Sequence, residues 1–137
     1  MAETIRKVDY FYIETPNKPG EGAKALALLR DQGVNLLAFS GFPQGRKAQI
    51  DFIPEDAVAF KAAARKAGLK LSAKKTGFLL QGEDQPGAIA NLMAKLAAVS
   101  VNVTAIDAVC AGNGRYGAIL WVKPTDVRKA AKALGAA

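Results

Sequence analysis

Apolar residues along the chain keep switching between two periods. "VDYFYIE" (8–14) and "TGFLLQG" (76–82) are short β-rich runs, whereas "GEGAKALALLRDQG" (20–33) and "GAIANLMAKLAAV" (87–99) carry apolar residues at helical spacing. In the second of these, Ile89, Leu92, Met93, Leu96 and Ala97 fall at i, i+3, i+4, i+7 and i+8, one face of a helix. "VNLLAFSG" and "VNVTAIDAV" then alternate like strands, and "KAQIDFI" and "YGAILWV" follow after Gly-containing loops. Two more helices open near Pro54-Glu55-Asp56 and Pro124-Thr125-Asp126, where acidic residues suit the positive end of the helix dipole. Gly68 stops the first of these helices, and "LKLSA" supplies a final strand; the second copy ends at "AKALGAA" without one.

These elements are one unit written twice. Shifting the chain by 67 residues lays 17–39 over 84–106 without a gap, so that Pro19 meets Pro86, Gly20 meets Gly87, Val34 meets Val101 and Asn35 meets Asn102. Phe11 and Ile13 meet Phe78 and Leu80 in the same frame. After a three-residue insertion in "CAGNGRYG", Ile50, Phe52 and Asp56 face Leu120, Val122 and Asp126. The order predicts an α+β fold of two ferredoxin-like βαββαβ modules, the second lacking its last strand. Each is an antiparallel sheet with two helices on one face. Phe11, Ile13, Val34, Leu36, Ile50 and Phe52 should face the helices, matched by Phe78, Leu80, Val101, Val103, Leu120 and Val122. Tyr10, Tyr12, Leu37 and Phe39 should occupy the opposite face, with Leu79, Ile106, Ile119 and Trp121 in the other copy, and so apolar a surface is normally a covered one.

The motifs "NKPGEG" and "DQPGAI" between first strand and first helix, followed by "GVNL" and "SVNV", resemble those of ACT domains, small regulatory modules that bind amino acids. The resemblance spans residues 5–73 and 74–137 as a tandem pair. It implies a ligand at an interface between modules, near the first loop and the start of the second strand. The implied ligand-binding residues are Asn17, Lys18, Pro19, Gly20 and Glu21 with Asn35 and Leu36, and Asp84, Gln85, Pro86, Gly87 and Ala88 with Asn102 and Val103.

Physical reasons for such a loop stand beside the resemblance. Gly20 and Gly87 let the backbone turn tightly and come close to a ligand. The helix that begins at once presents unpaired N–H groups and the positive end of its dipole to a carboxylate. Asn17, Asp84, Asn35 and Asn102 offer acceptors to an ammonium group, although Asn35 and Asn102 read equally as backbone-capping residues between helix and strand. Glu21 is replaced by Ala88 and Gly22 by Ile89, so the two loops need not be equivalent.

Composition removes several alternatives. The chain is 50% hydrophobic and 23% charged, with no run near the roughly 18 apolar residues of a membrane span. "MAETIRKVDY" has charges where an export signal needs an apolar core, so the expected location is cytoplasmic, with no membrane partner. There is no histidine, and Cys110 is the only cysteine, which disfavours metal and Cys-His chemistry; no cofactor is expected. Without a nucleophile-base pattern or a phosphate loop, the expectation is a protein that is not an enzyme. The net charge of +7 is spread along the chain rather than massed in a block. The alternative reading is an RNA-binding module of the same element order, stacking bases on Tyr10, Tyr12 and Trp121. "RYGAILWV" and "RKAQIDFI" lack the aromatics that the third strand of such modules carries. The reading favoured is a regulatory sensor of an amino acid or similar small zwitterion, assembling as a homodimer or higher homo-oligomer and acting on a regulated enzyme partner.

Overall fold

The computed structural model describes residues 3–136, so residue 137, the expected end of the second module, lies outside the described residues. Ten regular elements follow the order read from the sequence: β1 (Thr4–Pro16), α1 (Glu21–Asp31), β2 (Leu36–Gln44), β3 (Lys47–Pro54), α2 (Ala57–Lys66), β4 (Lys75–Glu83), α3 (Ala88–Ala98), β5 (Val103–Gly112), β6 (Arg115–Val122) and α4 (Val127–Leu134). A single 3-10 turn, Pro124–Asp126, precedes α4. The chain divides into two compact units. One runs from Asp9 to Lys75; the other contains the described residues up to Val8 and from Thr76 on.

In the first unit the strand order is β2-β3-β1, all antiparallel, with Phe11 opposite Phe52 and Ile13 opposite Ile50. Those four side chains pack with Ala25 and Leu29 of α1 and with Phe60 and Ala63 of α2, while Val34 and Leu36 close the edge of the same core. The apolar stripe of each helix thus finds the strand face that the alternation assigned to it. Asp56 caps α2, its carboxylate accepting from the N–H of Val58 at 3.0 Å and of Ala59 at 3.1 Å. It stands at the cap position itself rather than in the first turn.

The expected final strand of this unit is reduced to one rung. Ser72 donates its N–H to the carbonyl of Tyr12 at 2.8 Å, and the Tyr12 N–H is met by the Ser72 hydroxyl oxygen at 2.9 Å instead of a carbonyl. That side-chain substitute ends the ladder, and residues 69–74 form no regular strand. Leu69 and Leu71 still pack on the core, so the segment keeps the packing of a strand without its hydrogen bonds.

The second unit has the order β4-β6-β5, with Phe78 opposite Leu120 and Leu80 opposite Ala118. Its core joins these residues to Leu92 and Leu96 of α3 and to Ala130 and Leu134 of α4. The strand missing from the second copy is supplied by the first half of β1, which lies beside β4. Ile5 packs on this core, Val8 is buried, and Tyr116 donates its hydroxyl to Glu3 Oε2 at 3.1 Å.

Two residues lie on the other face from the one expected. Phe39 stands opposite Phe52 with their rings 5.7 Å apart, and Ile106 stands opposite Leu120 and packs on the helix-side core. A bulge is the cause in both copies: the register shifts between Leu36 and Ala38 in β2 and between Val103 and Ala105 in β5. One extra residue reverses the side-chain alternation beyond it. On the face away from the helices, Ile53, Leu79, Ile119 and Trp121 are buried.

Gly82 is held by packing. It lies opposite Tyr116 in the β4–β6 ladder, and a Cβ there would come within 2.8 Å of the tyrosine ring. Because the Tyr116 hydroxyl is tethered to Glu3, the ring cannot swing away freely. Gly82→Ala is expected to cost about 1–3 kcal/mol in urea unfolding, the usual scale of overpacking; a loss under about 0.5 kcal/mol would show that the ring moves aside.

Candidate functional site

Both Pro-Gly loops enter their helices through a glycine in the left-handed region, Gly20 at φ 90° and Gly87 at φ 82°, each serving as N-cap. A side chain there would be strained whatever the space around it. Nothing lies within 4 Å of where a Cβ would stand, so the backbone at both entrances is open.

The two loops are tied down alike. Asn17 donates its N–H to the carbonyl of Arg46 at 3.2 Å, and Asp84 donates its N–H to the carbonyl of Gly114 at 2.8 Å. Each loop is therefore fastened to the hairpin that follows the module's second strand. Inside the first loop Lys18 Nζ lies 3.7 Å from Glu21 Oε1, a pair with no counterpart at Ala88.

Beside each loop runs a groove. The first, of about 290 Å³, brings Asn17, Lys18 and Glu21 together with Thr15, Gly22 and an apolar wall of Phe39, Phe42, Pro43 and Ile50. The second, of about 390 Å³, joins Asp84, Gln85, Gly87 and Ala88 to Ile89, Ala108, Val109, Cys110 and Tyr116. A further groove of about 370 Å³ borders α3 and combines Glu3, Glu83, Gln85, Asn91 and Lys95 over Ala88 and Leu92.

Other expected site residues stand apart from these linings. Asn35 donates its amide to Glu55 Oε2 at 3.1 Å, and its carbonyl accepts from the Glu55 N–H, also at 3.1 Å, which ties the start of β2 to the approach of α2. Leu36 lies opposite Pro54, whereas the loop end of β1, Pro16, lies opposite Lys47, the residue that Gln44 meets at the far end of β2. Val103 packs on the second core and Asn102 is exposed. Pro19 and Pro86 shape the two entrances and line neither groove.

The groove walls missing from the sequence reading come from the distal halves of β2 and β5: Phe39, Phe42 and Pro43 in one unit, Ala108, Val109 and Cys110 in the other. Antiparallel order brings those halves next to the loop, and that adjacency was available from the element order alone.

Charge within the second groove is muted. A hydrogen bond to Asp84 pushes the Cys110 thiol above its ordinary pKa, with burial adding to it, so the thiolate is disfavoured. Burial, helped by Glu3, raises the Tyr116 hydroxyl to about 12. Among the described residues no group of three or more His, Cys, Asp or Glu side chains stands ready for a metal.

Outside the grooves, Asp51 is the only charged side chain buried among the described residues, 5% exposed on the face of β3 away from the helices. Burial raises its pKa, against the pull of a 3.0 Å hydrogen bond from Gln49 Nε2 and the charge of Lys75. Tyr10 is raised to about 12 by burial and by Asp51 and Tyr12, and the Lys75 ammonium lies 5.5 Å from the Tyr12 ring centre.

The paired loops and element order match a tandem ACT-type fold, and comparison with solved structures places the chain on that fold. A protein of Bacteroides thetaiotaomicron superposes with a TM-score of 0.81 at 18% identity, covering 96% of this chain and 88% of its own. The regulatory subunit of aspartate kinase from Thermus thermophilus, in its ligand-free form, gives 0.64 at 18% identity with 98% and 93% covered. A putative C-terminal regulatory domain of aspartate kinase from Porphyromonas gingivalis gives 0.54 at 12% identity with 98% and 94% covered. No family model matches the sequence, and no curated protein matches it. The named kinase neighbours are regulatory parts rather than catalytic ones, and among the described residues no helix is long and apolar enough to cross a membrane.

Proposed function

We propose that this chain is a cytoplasmic, non-enzymatic regulatory protein that binds an amino acid or similar small zwitterion at its Pro-Gly loops. It passes the bound state to its own homo-oligomer or to an enzyme partner. Residues 5–73 and 74–137 are its two ACT-like modules, with the 5–8 segment of the first serving the sheet of the second, and a module interface is where the ligand is held. The observation that carries this reading is the duplicated, open entrance at Gly20 and Gly87, each beside a groove. Bare N–H groups at the helix start suit the ligand carboxylate. Acceptors at Asn17 and Glu21, or at Asp84 and Gln85, suit its ammonium group. The kinase regulatory neighbours support the regulatory part of the reading, and their subunit organisation supports an assembly with an enzyme. Of the three aromatics on which the RNA reading would stack bases, Trp121 is buried and Tyr10 and Tyr12 are half-buried, which weighs against that reading.

A thermal-shift screen over the proteinogenic amino acids tests this. At least one is expected to raise the melting temperature in a dose-dependent manner, by up to about 2.7 kcal/mol of added stability at a hundredfold excess over Kd. Gly20→Ala and Gly87→Ala then separate the loops, since the one that binds should lose the shift. Equal melting temperatures with every amino acid would sink the reading.

A further inference from the structure

The grooves beside the two Pro-Gly loops differ at their floors. In the first unit Thr15 stands opposite Ala48, which also meets Pro43 across β2; in the second, Gly82 stands opposite Tyr116, which meets Cys110 across β5. The Tyr116 ring therefore occupies the ladder position that Ala48 fills with a methyl group. That ring is only 5% exposed, its hydroxyl is bonded to Glu3, and it lies so close to Gly82 that a Cβ there would touch it. The second groove meets Tyr116 where the first continues to Ala48 and Ile50 of β3.

A second exchange acts in the same sense. Ile89 lines the second groove at the place that Gly22 holds in the first. The first groove is thus open where its counterpart carries two large side chains, and its walls are left in water: Phe39 is 42% and Phe42 41% exposed. Exposed aromatic faces around a recess are what a flat apolar group covers best.

We infer that the first groove alone is the working site and that it takes an amino acid with an aromatic side chain, whose ring stands over Ala48 where the second unit keeps its own Tyr116. The inference rests on the amino-acid reading above and adds to it the side chain and the choice of loop. Ring faces at Phe39 and Phe42 favour an aromatic guest over an aliphatic one of similar size. Charge at the loop agrees. Lys18 and Glu21 offer a zwitterion one charge of each sign, and their 3.7 Å pair, with the lysine mostly exposed, opens at little cost. Gln85 and Ala88 stand at the corresponding places of the second loop and carry no charge.

Isothermal titration calorimetry of the full chain with L-phenylalanine, L-leucine and L-alanine tests it. Phenylalanine should bind at one site per chain and at least about tenfold more tightly than alanine, since even one methylene group in a fitted pocket is worth about that much. Gly22→Ile, which copies Ile89, should weaken phenylalanine binding at least about tenfold. It should not lower the melting temperature of the free protein, because a Cβ at Gly22 meets nothing within 4 Å. Thr15→Gly combined with Ala48→Tyr, which copies the Gly82 and Tyr116 pair, should have the same effect on binding while giving the new ring a glycine to lie against. Leucine or alanine bound as tightly as phenylalanine overturns this inference alone. Phenylalanine binding at two sites per chain, or left unweakened by either variant, does so too. No binding of any proteinogenic amino acid overturns the proposed function with it.

Discussion

Replacing Phe60 by alanine is expected to remove about 3–5 kcal/mol of stability, a large part of the roughly 5–15 kcal/mol that holds a domain folded. Phe60 is fully buried on α2, and its ring centre lies 5.3 Å from that of Phe11 and 5.5 Å from that of Phe52. Its ring thus meets an aromatic ring of β1 and one of β3. Its loss opens a void between strands fixed by their ladder, at Phe11 opposite Phe52, so the site cannot collapse to fill it. Phe60→Leu keeps most of the volume and should cost less than about 1.5 kcal/mol. Urea unfolding followed by far-ultraviolet circular dichroism measures both. A Phe60→Ala loss near that of the leucine variant would show that this core repacks easily.

That aromatic centre was only half visible in the sequence. Phe11 and Phe52 were assigned to the helix face by alternation, but nothing in α2 singled out Phe60 until the strands were placed under it. The repeat carried most of the fold because a common shift of 67 residues aligns every element of the two copies up to the hairpin loop. Alternation failed where its premise failed, at the bulges after Leu36 and Val103, which turned Phe39 and Ile106 toward the helices. The missing strand was hidden for a different reason. Arg6 and Lys7 interrupt the apolar pattern of "TIRKVDY", and both are exposed, so the segment that completes the second sheet reads as a polar leader rather than as half of β1.

The candidate site divides in the same way. Local chemistry announces the glycine entrances, since the left-handed φ and the helix start are properties of the segment itself. The groove walls from Phe39 to Pro43 and from Ala108 to Cys110 arrive through strand order, so they follow from the order of elements along the whole module and not from any one segment.

Asp51→Asn is expected to stabilise the protein at neutral pH, with a gain that disappears in acid. Burial raises the folded-state pKa of this carboxyl above its unfolded value of 3.8, so the folded state holds the proton more tightly than the unfolded one. The sign follows from linkage: below the unfolded pKa the group costs folding nothing, and as pH rises through the raised folded value the charged form must be buried and stability is lost. The hydrogen bond from Gln49 and the nearby Lys75 charge offset part of that cost without reversing it. Asparagine keeps the acceptor for Gln49 and removes the charge, for a gain on the order of 1 kcal/mol at neutral pH, or a few degrees of melting temperature. Lys75→Met should act in the opposite direction, because it takes away the cation that favours the Asp51 carboxylate. Melting curves of the three proteins between pH 3.5 and 8 decide the matter. An Asp51→Asn advantage that is constant across that range would mean that the carboxyl does not titrate differently on folding, and a neutral-pH loss would mean that its ionised form is held by the fold rather than tolerated by it.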